Sequence, residues 1–247
     1  MATLTLVIPA YNEAQRLGAT LDAVADYLSR EGIDANVIVV DDGSTDGTAD
    51  VAARYTVADH PVDVITLPGQ RGKGAAVRAG MLAADADVIG FVDADLSTPL
   101  DELPRALEAF DRGYDVVIGS RAMPRSRTLR AQSATRRVGA RMFRAITPTI
   151  AGLRGFPDSQ CGFKFFSREA ARDLFGGTVI ERWVFDVEVL RLAVHRGYRV
   201  AQIPVAWRDH PGSRLRPSLV AFGVLRDLVR IRLRFALGRY GAARRAT

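Results

Sequence analysis

Three short segments of this chain carry carboxylates directly after apolar runs. They are Glu13 after VIPAYN, Asp41-Asp42 after VIVV, and the Asp93-Ala94-Asp95 that follows VIGFV. Carboxylates gathered at one place repel each other and require a cation, and their oxygens suit hard ions such as Mg²⁺ or Mn²⁺ bound together with phosphate. On an extended backbone Asp93 and Asp95 point to the same side, as two ligands of one ion would. The loop GQRGKG, residues 69–74, carries glycines that let backbone N–H groups cradle a phosphate where a helix opens near Ala75. It is not a P-loop, because Gly74 rather than Ser or Thr follows Lys73, and its G-x-x-G-x-G spacing does not fit a dinucleotide fingerprint. Asp158 stands in a polar DSQ segment just before CGFKFF, where a carboxylate could orient or deprotonate a second substrate. Arg121, at the end of YDVVIGS, offers a guanidinium to an anion.

The elements that must position these groups follow from hydrophobic periodicity. Short β-branched runs at 3–8, 36–40, 62–67, 87–92 and 114–119 read as strands, alternating with helical patterns at 13–30, 45–55, 73–84 and 100–112. Near-continuous apolar strands alternating with helices predict an α/β fold with a mostly parallel sheet covered on both faces. In such a sheet the strand ends share one rim, so the three acidic segments should line one cleft there. After Ser120 the alternation fails. Residues 131–153 read as an amphipathic helix broken near Pro148, 161–166 as a strand, 168–174 and 184–196 as helices, 198–206 as a strand, and 218–240 as a basic amphipathic helix. No linker or internal repeat divides the chain, so residues 1–217 are expected to form one body, with 218–247 a peripheral helix and tail.

Composition narrows the classes. The 247 residues are 48% hydrophobic and 25% charged, an ordinary globular balance. A single cysteine, Cys161, rules out an intramolecular disulfide and the Cys₄ and Cys₂His₂ zinc sites, and it reads as a small buried side chain. His60, His195 and His210 have no metal-ligand spacing. The N-terminus lacks the basic region of a signal peptide and reaches Pro9 and Glu13 within thirteen residues, no charge-free window of 18 apolar residues exists, and with a single cysteine a reducing, cytoplasmic setting is expected. The net charge of +6 is uneven. Residues 121–157 carry nine arginines and no acid, and residues 208–247 carry ten arginines against two acids, which leaves the rest strongly acidic. Two basic segments on an acidic body suit a phosphorylated substrate, an anionic membrane surface or nucleic acid.

Several motifs together resemble one family. VIPAYNE, VVDDGSTDGT (39–48), GKGAAVRAG (72–80), VDADLSTP (92–99) and GSR (119–121) are similar to those of the family 2 glycosyltransferases with the GT-A, Rossmann-like fold. DSQCGFKFF (158–166) and RWVFDVEVL (182–190) look most like the dolichyl-phosphate glucosyltransferase branch of the polyprenyl-phosphate sugar synthases. This resemblance implies that Pro9, Ala10, Tyr11, Glu13, Asp41 and Asp42 hold the base and ribose of a nucleotide sugar, with Gly72, Lys73 and Gly74 beside it. It implies that Asp93 and Asp95 bind ribose and the metal-diphosphate, and that Arg121 lies near the acceptor phosphate. The mannosyl synthases often carry Gln two residues after this acidic pair, where Ser97 stands here, which favours glucose over mannose.

The expected activity is inverting transfer of a hexose, glucose from UDP-glucose, to a polyprenyl or dolichyl phosphate at the cytoplasmic membrane face, with Mg²⁺ or Mn²⁺. A phosphate acceptor is already an anion, so metal and arginine have more to do than a strong base. The alternatives are GDP-mannose as donor, a soluble acceptor, or a non-enzymatic nucleic-acid binder. The last leaves the acidic rim unexplained and lacks an aromatic-basic RNA motif, so no nucleic-acid partner is expected. Trp183 and Phe185 are placed to stack on sugar or to pack, and Asp186 and Glu188 to line the sugar or cap their helix. Leu219, Val220, Phe222, Leu225, Leu228, Val229, Leu233, Phe235 and Leu237 are expected to enter the membrane interface, the alternative being that this stripe completes the core.

Overall fold

The computed structural model of the chain describes residues 3–130, 147, 149–208 and 217–241. Most of the 131–153 helix expected from the sequence, with its arginines and Val138, Met142, Phe143 and Ile146, lies outside the described residues, as does His210. Strands β1 (Leu4–Ala10), β2 (Ala35–Asp41), β5 (Asp63–Thr66), β6 (Val88–Val92), β7 (Val116–Ser120), β9 (Phe163–Ser167) and β10 (Val200–Pro204) form a seven-stranded sheet in the order β10-β7-β9-β6-β1-β2-β5. All neighbours in it are parallel except β9, which runs antiparallel between β6 and β7. The reversal brings the start of β9, and so residues 158–162, to the same rim as the ends of β6 and β7.

Helices α1 (Ala14–Glu31) and α4 (Leu103–Asp111) cover one face. Leu17, Leu21, Val24 and Leu28 of α1 meet Leu6, Ile8, Val37 and Val39 of the sheet. Helices α3 (Lys73–Ala83), α5 (Arg168–Gly177), α6 (Phe185–His195) and α7 (Pro217–Ala236) cover the other, where Val77, Met81, Phe175, Leu190 and Ile231 pack on Val7, Phe91 and Ile118. Both layers follow from strands apolar on each face.

Three expectations change in the structure. The 45–55 helix shrinks to α2 (Thr48–Ala52), because Asp46 and Thr48 side chains tie the preceding turn to the start of α1, and a small hairpin, β3 (Thr56–Val57) with β4 (His60–Pro61), follows. The 198–206 run is two strands: β10 in the main sheet, and β11 (Ala206–Arg208), which leaves it to pair with β8 (Arg127–Arg130). β11 is drawn off by polar anchors, its Ala206 N–H donating to Glu102 and its Arg208 N–H to the Ser97 carbonyl, each within 2.9 Å. Helix α7 is apolar on two sides: Leu228 and Ile231 are buried on the core, while Phe222, Leu225, Val229, Leu233 and Leu237 are exposed, Phe222 by 76%. Leu228 and Ile231 each contribute roughly 1.5–3 kcal/mol by that burial.

Candidate active site

The ends of β1, β2, β6 and β7 and the start of β9 meet at one rim. Asp42 N–H donates to the Ala10 carbonyl at 2.8 Å, joining the first two strand ends. The Asp42 carboxylate accepts the N–H groups of Arg71 and Gly72, each at 2.8 Å, and so fastens the glycine loop. Burial pushes that carboxyl above its ordinary pKa, against the pull of those two donors. Gly43 is required there: its φ is +71° and a Cβ would lie 2.4 Å from the Gly69 backbone. Asp41 accepts Ser44 N–H at 3.1 Å, and Ser44 Oγ takes Asn12 N–H at 2.8 Å, so the DDGST segment and the PAYN segment form one wall. Pro9 and Ala10 end β1 in that wall, beside a partly exposed Tyr11. Glu13 is not free: Arg16 grips both of its oxygens, Nη2 to Oε1 at 2.8 Å.

The acidic pair does not continue the strand. Leu96 N–H donates to the Asp93 carbonyl at 2.9 Å, closing a turn over 93–96, and Leu96 adopts a φ of +45°. This overturns the extended Asp-Ala-Asp expected from the sequence, and the two carboxylates have separate surroundings. A positive φ at a leucine costs roughly 1–2 kcal/mol, strain held in place by the anchored strand ends on both sides. Asp93 Oδ1 pairs with Lys73 Nζ at 2.5 Å. Burial works to raise the Asp93 pKa, but Lys73, Lys164 and Arg121 prevail and hold it below the usual carboxylate range. Lys73 therefore points at an acid of the rim. Burial disfavours its ammonium, yet Asp93, Asp186 and Asp95 outweigh that and raise its pKa. The Asp93 carboxylate also explains Gly162, where a Cβ would lie 1.9 Å from a carboxylate oxygen. Gly72 and Gly74 are equally confined, by the carbonyls of Glu181 and Ile180.

Asp95 is as exposed as Asp93 but is not held by a lysine, with Oδ1 accepting Ser97 N–H at 2.9 Å and Oδ2 4.0 Å from Arg16 Nη1. Among the described residues no cluster of three His, Cys, Asp or Glu side chains is arranged around a metal position. The donor set still fits a hard divalent ion, since such ions commonly take one or two protein carboxylates and fill their shell with phosphate and water.

Arg121 and Asp158 form a bidentate pair, Nε–Oδ2 2.7 Å and Nη2–Oδ1 2.8 Å, and Arg121 N–H donates to Oδ2 as well. The guanidinium lies 5.4 Å from the centre of the Trp207 ring. Burial alone would raise the Asp158 pKa, but the arginine more than reverses it and the carboxyl titrates below its ordinary range. A carboxylate so held is a poor proton acceptor; it fixes Arg121, whose Nη1 has no hydrogen-bond partner among the described residues.

Sequence reading missed a second ion pair beneath the rim. Lys164 is fully buried and donates to Asp186 Oδ1 and to the Cys161 carbonyl, both at 2.6 Å. Lys73 and Lys164 approach the Phe91 ring at 6.0 and 5.4 Å, so two ammonium groups, each paired with its own carboxylate, share one aromatic ring. The signal was present: a lysine inside the apolar strand FKFF needs a buried carboxylate. Asp186 thus faces the core rather than a sugar, and Glu188 accepts the Val179 and Ile180 N–H groups instead of capping its own helix. Trp183 is 43% exposed, whereas Phe185 packs on Phe91. Cys161 is buried, as expected.

A family model described as glycosyl transferase family 2 matches residues 5–175. A dolichyl-phosphate beta-glucosyltransferase of Trichomonas vaginalis is 36% identical over 246 residues, covering 95% of this chain and 72% of that protein. The Homo sapiens dolichyl-phosphate beta-glucosyltransferase is 35% identical, covering 95% of this chain and 76% of that protein. Among solved structures, glucosyl-3-phosphoglycerate synthase from Mycobacterium tuberculosis, bound to Mn²⁺, UDP and phosphoglyceric acid, superposes with a TM-score of 0.66 at 22% identity, covering 98% of this chain and 79% of that one. That likeness establishes the shared GT-A fold.

Proposed function

The chain belongs to glycosyl transferase family 2, and from that premise we propose that it transfers glucose from UDP-glucose to a polyprenyl or dolichyl phosphate at a membrane surface. One observation carries the choice of acceptor. The match to the dolichyl-phosphate enzymes, at 35–36% identity, covers 95% of the chain and so runs past residue 175, where the family model ends, through RWVFDVEVL and into the C-terminal segment.

In this reading the wall formed by Pro9, Ala10, Tyr11, Asp41 and the Asp42-fastened loop at Gly72 and Gly74 takes the uridine and ribose. Lys73 and Asp93 hold each other below the diphosphate, and Asp95 is the carboxylate offered to Mg²⁺ or Mn²⁺. A divalent ion bound there supplies positive charge against the departing diphosphate. A lipid phosphate oxygen forms a bond to the anomeric carbon as the bond to the UDP oxygen breaks; in-line displacement inverts that carbon, and the electron pair leaves on UDP. No proton need be removed, because the acceptor is ionised at neutral pH. Asp158 accordingly serves as a positioning residue for Arg121, and Arg121 Nη1 meets the acceptor phosphate. Among the described residues no helix is long and apolar enough to cross a membrane, so access to the lipid is peripheral in this reading. The exposed apolar row of α7 supports that.

Incubating the full chain with UDP-glucose, GDP-mannose and other nucleotide sugars, a short polyprenyl phosphate and Mn²⁺, then weighing products by mass spectrometry, tests the proposal. A glucosyl-phosphoryl-polyprenol from UDP-glucose is expected. Product from GDP-mannose alone, or transfer only to a soluble acceptor such as phosphoglycerate, overturns it.

Arg121→Lys is expected to raise the acceptor KM about tenfold and leave UDP affinity within about twofold, since an ammonium keeps the charge yet cannot bind Asp158 and a phosphate in one plane. Calorimetry with UDP and steady-state kinetics against acceptor separate the two effects. A matching loss of UDP affinity would move Arg121 to the donor side.

A further inference from the structure

Where α7 crosses the end of α6, a cavity of about 340 Å³ is lined by Arg191, His195, Arg232, Phe235 and Ala236. It is remote from the rim: α6 starts beneath the acidic pair at Phe185–Asp186, and nine residues of helix carry the chain about 14 Å onward to His195. Among the described residues no carboxylate lines it. Arg191 lies 3.9 Å from the centre of the Phe235 ring, and its Nη1 is buried with no hydrogen-bond partner among the described residues. Arg232 Nη1 donates to the carbonyls of Thr149 and Ile150, at 3.1 and 3.4 Å, which fixes the second guanidinium beside the first. Burial, and then Arg232, hold the Arg191 pKa below the usual arginine value, as expected of like charges brought together with no counter-anion. His195 is held at the same place, its Nε2 3.2 Å from the Gly241 carbonyl.

A buried guanidinium donor left unpaired, as Arg191 Nη1 is, costs stability unless something pairs it, and the exposed Arg232 beside it is met only by neutral carbonyls. The surroundings indicate what does. Phe222, Leu225, Val229, Leu233 and Leu237 recur at intervals of three and four along α7, so they form one exposed apolar stripe. By helical rotation of 100° per residue Arg232 flanks this stripe on one side and Arg226 and Arg230 on the other. An apolar stripe beside a pocket whose two arginines meet no carboxylate among the described residues matches a molecule with acyl chains at one end and an anion at the other.

We propose that this cavity binds the phosphate of an anionic membrane lipid, as a headgroup site separate from the one that takes the acceptor. Its ligand is anchored and never transferred. The pocket would set the depth and rotation of α7 at the membrane, and with them the orientation of the rim. The inference rests on the membrane part of the proposed function, not on which sugar or acceptor is used.

The test is co-sedimentation of the full chain with vesicles of phosphatidylcholine containing a minority of phosphatidylglycerol, against phosphatidylcholine alone, without nucleotide sugar. The Arg191→Lys and Arg232→Lys variants keep the net charge, so diffuse attraction is preserved while planar two-point binding is lost. Each is expected to weaken binding to the anionic vesicles several-fold, and the double variant about tenfold, with UDP affinity and melting temperature near those of the parent. Arg232 lies on the flank of the helix, so its variant carries the test even if Arg191→Lys loosens the packing on Phe235. Binding unchanged in the double variant means diffuse electrostatics and overturns the pocket. A parent chain that binds inorganic phosphate through Arg191 and Arg232 but does not distinguish the two vesicles has a site for a soluble anion, which overturns the lipid assignment. Failure to form a glucosyl lipid, with selective vesicle binding intact, would refute the transfer reaction and leave the headgroup site standing.

Discussion

Asp95→Asn is expected to lower kcat by about a thousandfold while the fold and melting temperature stay near those of the parent. The asymmetry within the acidic pair is the reason. Asp95 is partly exposed, and an asparagine Oδ1 can still accept Ser97 N–H, so the 93–96 turn survives the change. What is lost is the negative charge that would draw a divalent ion to the diphosphate. Raising Mn²⁺ or Mg²⁺ to saturation should recover little of the rate. Asp93→Asn should behave differently, lowering stability as well, because it leaves the Lys73 ammonium, held at 2.5 Å in the parent, facing a neutral partner. The measurements are steady-state kinetics with a metal titration and thermal unfolding of both variants. An Asp95→Asn enzyme with parental kcat at saturating metal would remove this residue from the metal site.

The second large effect is on stability. Lys164→Met is expected to destabilise the protein by about 3–5 kcal/mol, because it strands the Asp186 carboxylate in the core with its cation gone. For a chain of this size that corresponds to a melting temperature lower by about 10 °C. Burial already raises the Asp186 pKa in the parent, against the pull of Lys164 and Lys73. A carboxyl whose folded pKa exceeds its unfolded one destabilises progressively as pH rises through that range and ceases to do so below it. The gap between variant and parent should therefore narrow as pH falls, and Asp186→Asn added to Lys164→Met should restore part of the loss at neutral pH. Thermal unfolding of the three proteins across pH decides it. A single variant melting with the parent at neutral pH would show that the pair contributes nothing to stability.

Much of the frame is legible without coordinates because local rules produce it. Apolar runs ending in Asp41, Asp93 and Ser120, each followed by a helical period, imply parallel strands whose ends share a rim, whatever the details of packing. The glycines of the 69–74 loop announce a tight backbone in the same way. The acids at Asp41, Asp42, Asp93 and Asp95 are recognisable because each follows a strand that has no other reason to stop at a carboxylate.

What the sequence could not decide was which charges meet. Lys73 lies 20 residues from Asp93, Lys164 lies 22 from Asp186, and Arg121 lies 37 from Asp158. The last two pairings depend on the antiparallel entry of β9 between β6 and β7, a choice of strand order that apolar periodicity cannot encode, since it reports burial and not neighbours. The same holds for the acidic turn. Nothing local requires a leucine at positive φ, and the turn exists because the strand end, the Ser97 carbonyl and the β11 strand fix both of its sides. It holds again for α7, whose apolar residues look alike in sequence. Only docking onto α6 and the sheet separates Leu228 and Ile231, which are buried, from Phe222, Leu225 and Leu233, which are left for another surface. The sequence determined which residues carry charge and where strands end; the tertiary structure decided which of those charges are neutralised from within and which remain for a ligand, because pairing and desolvation are properties of neighbours in space.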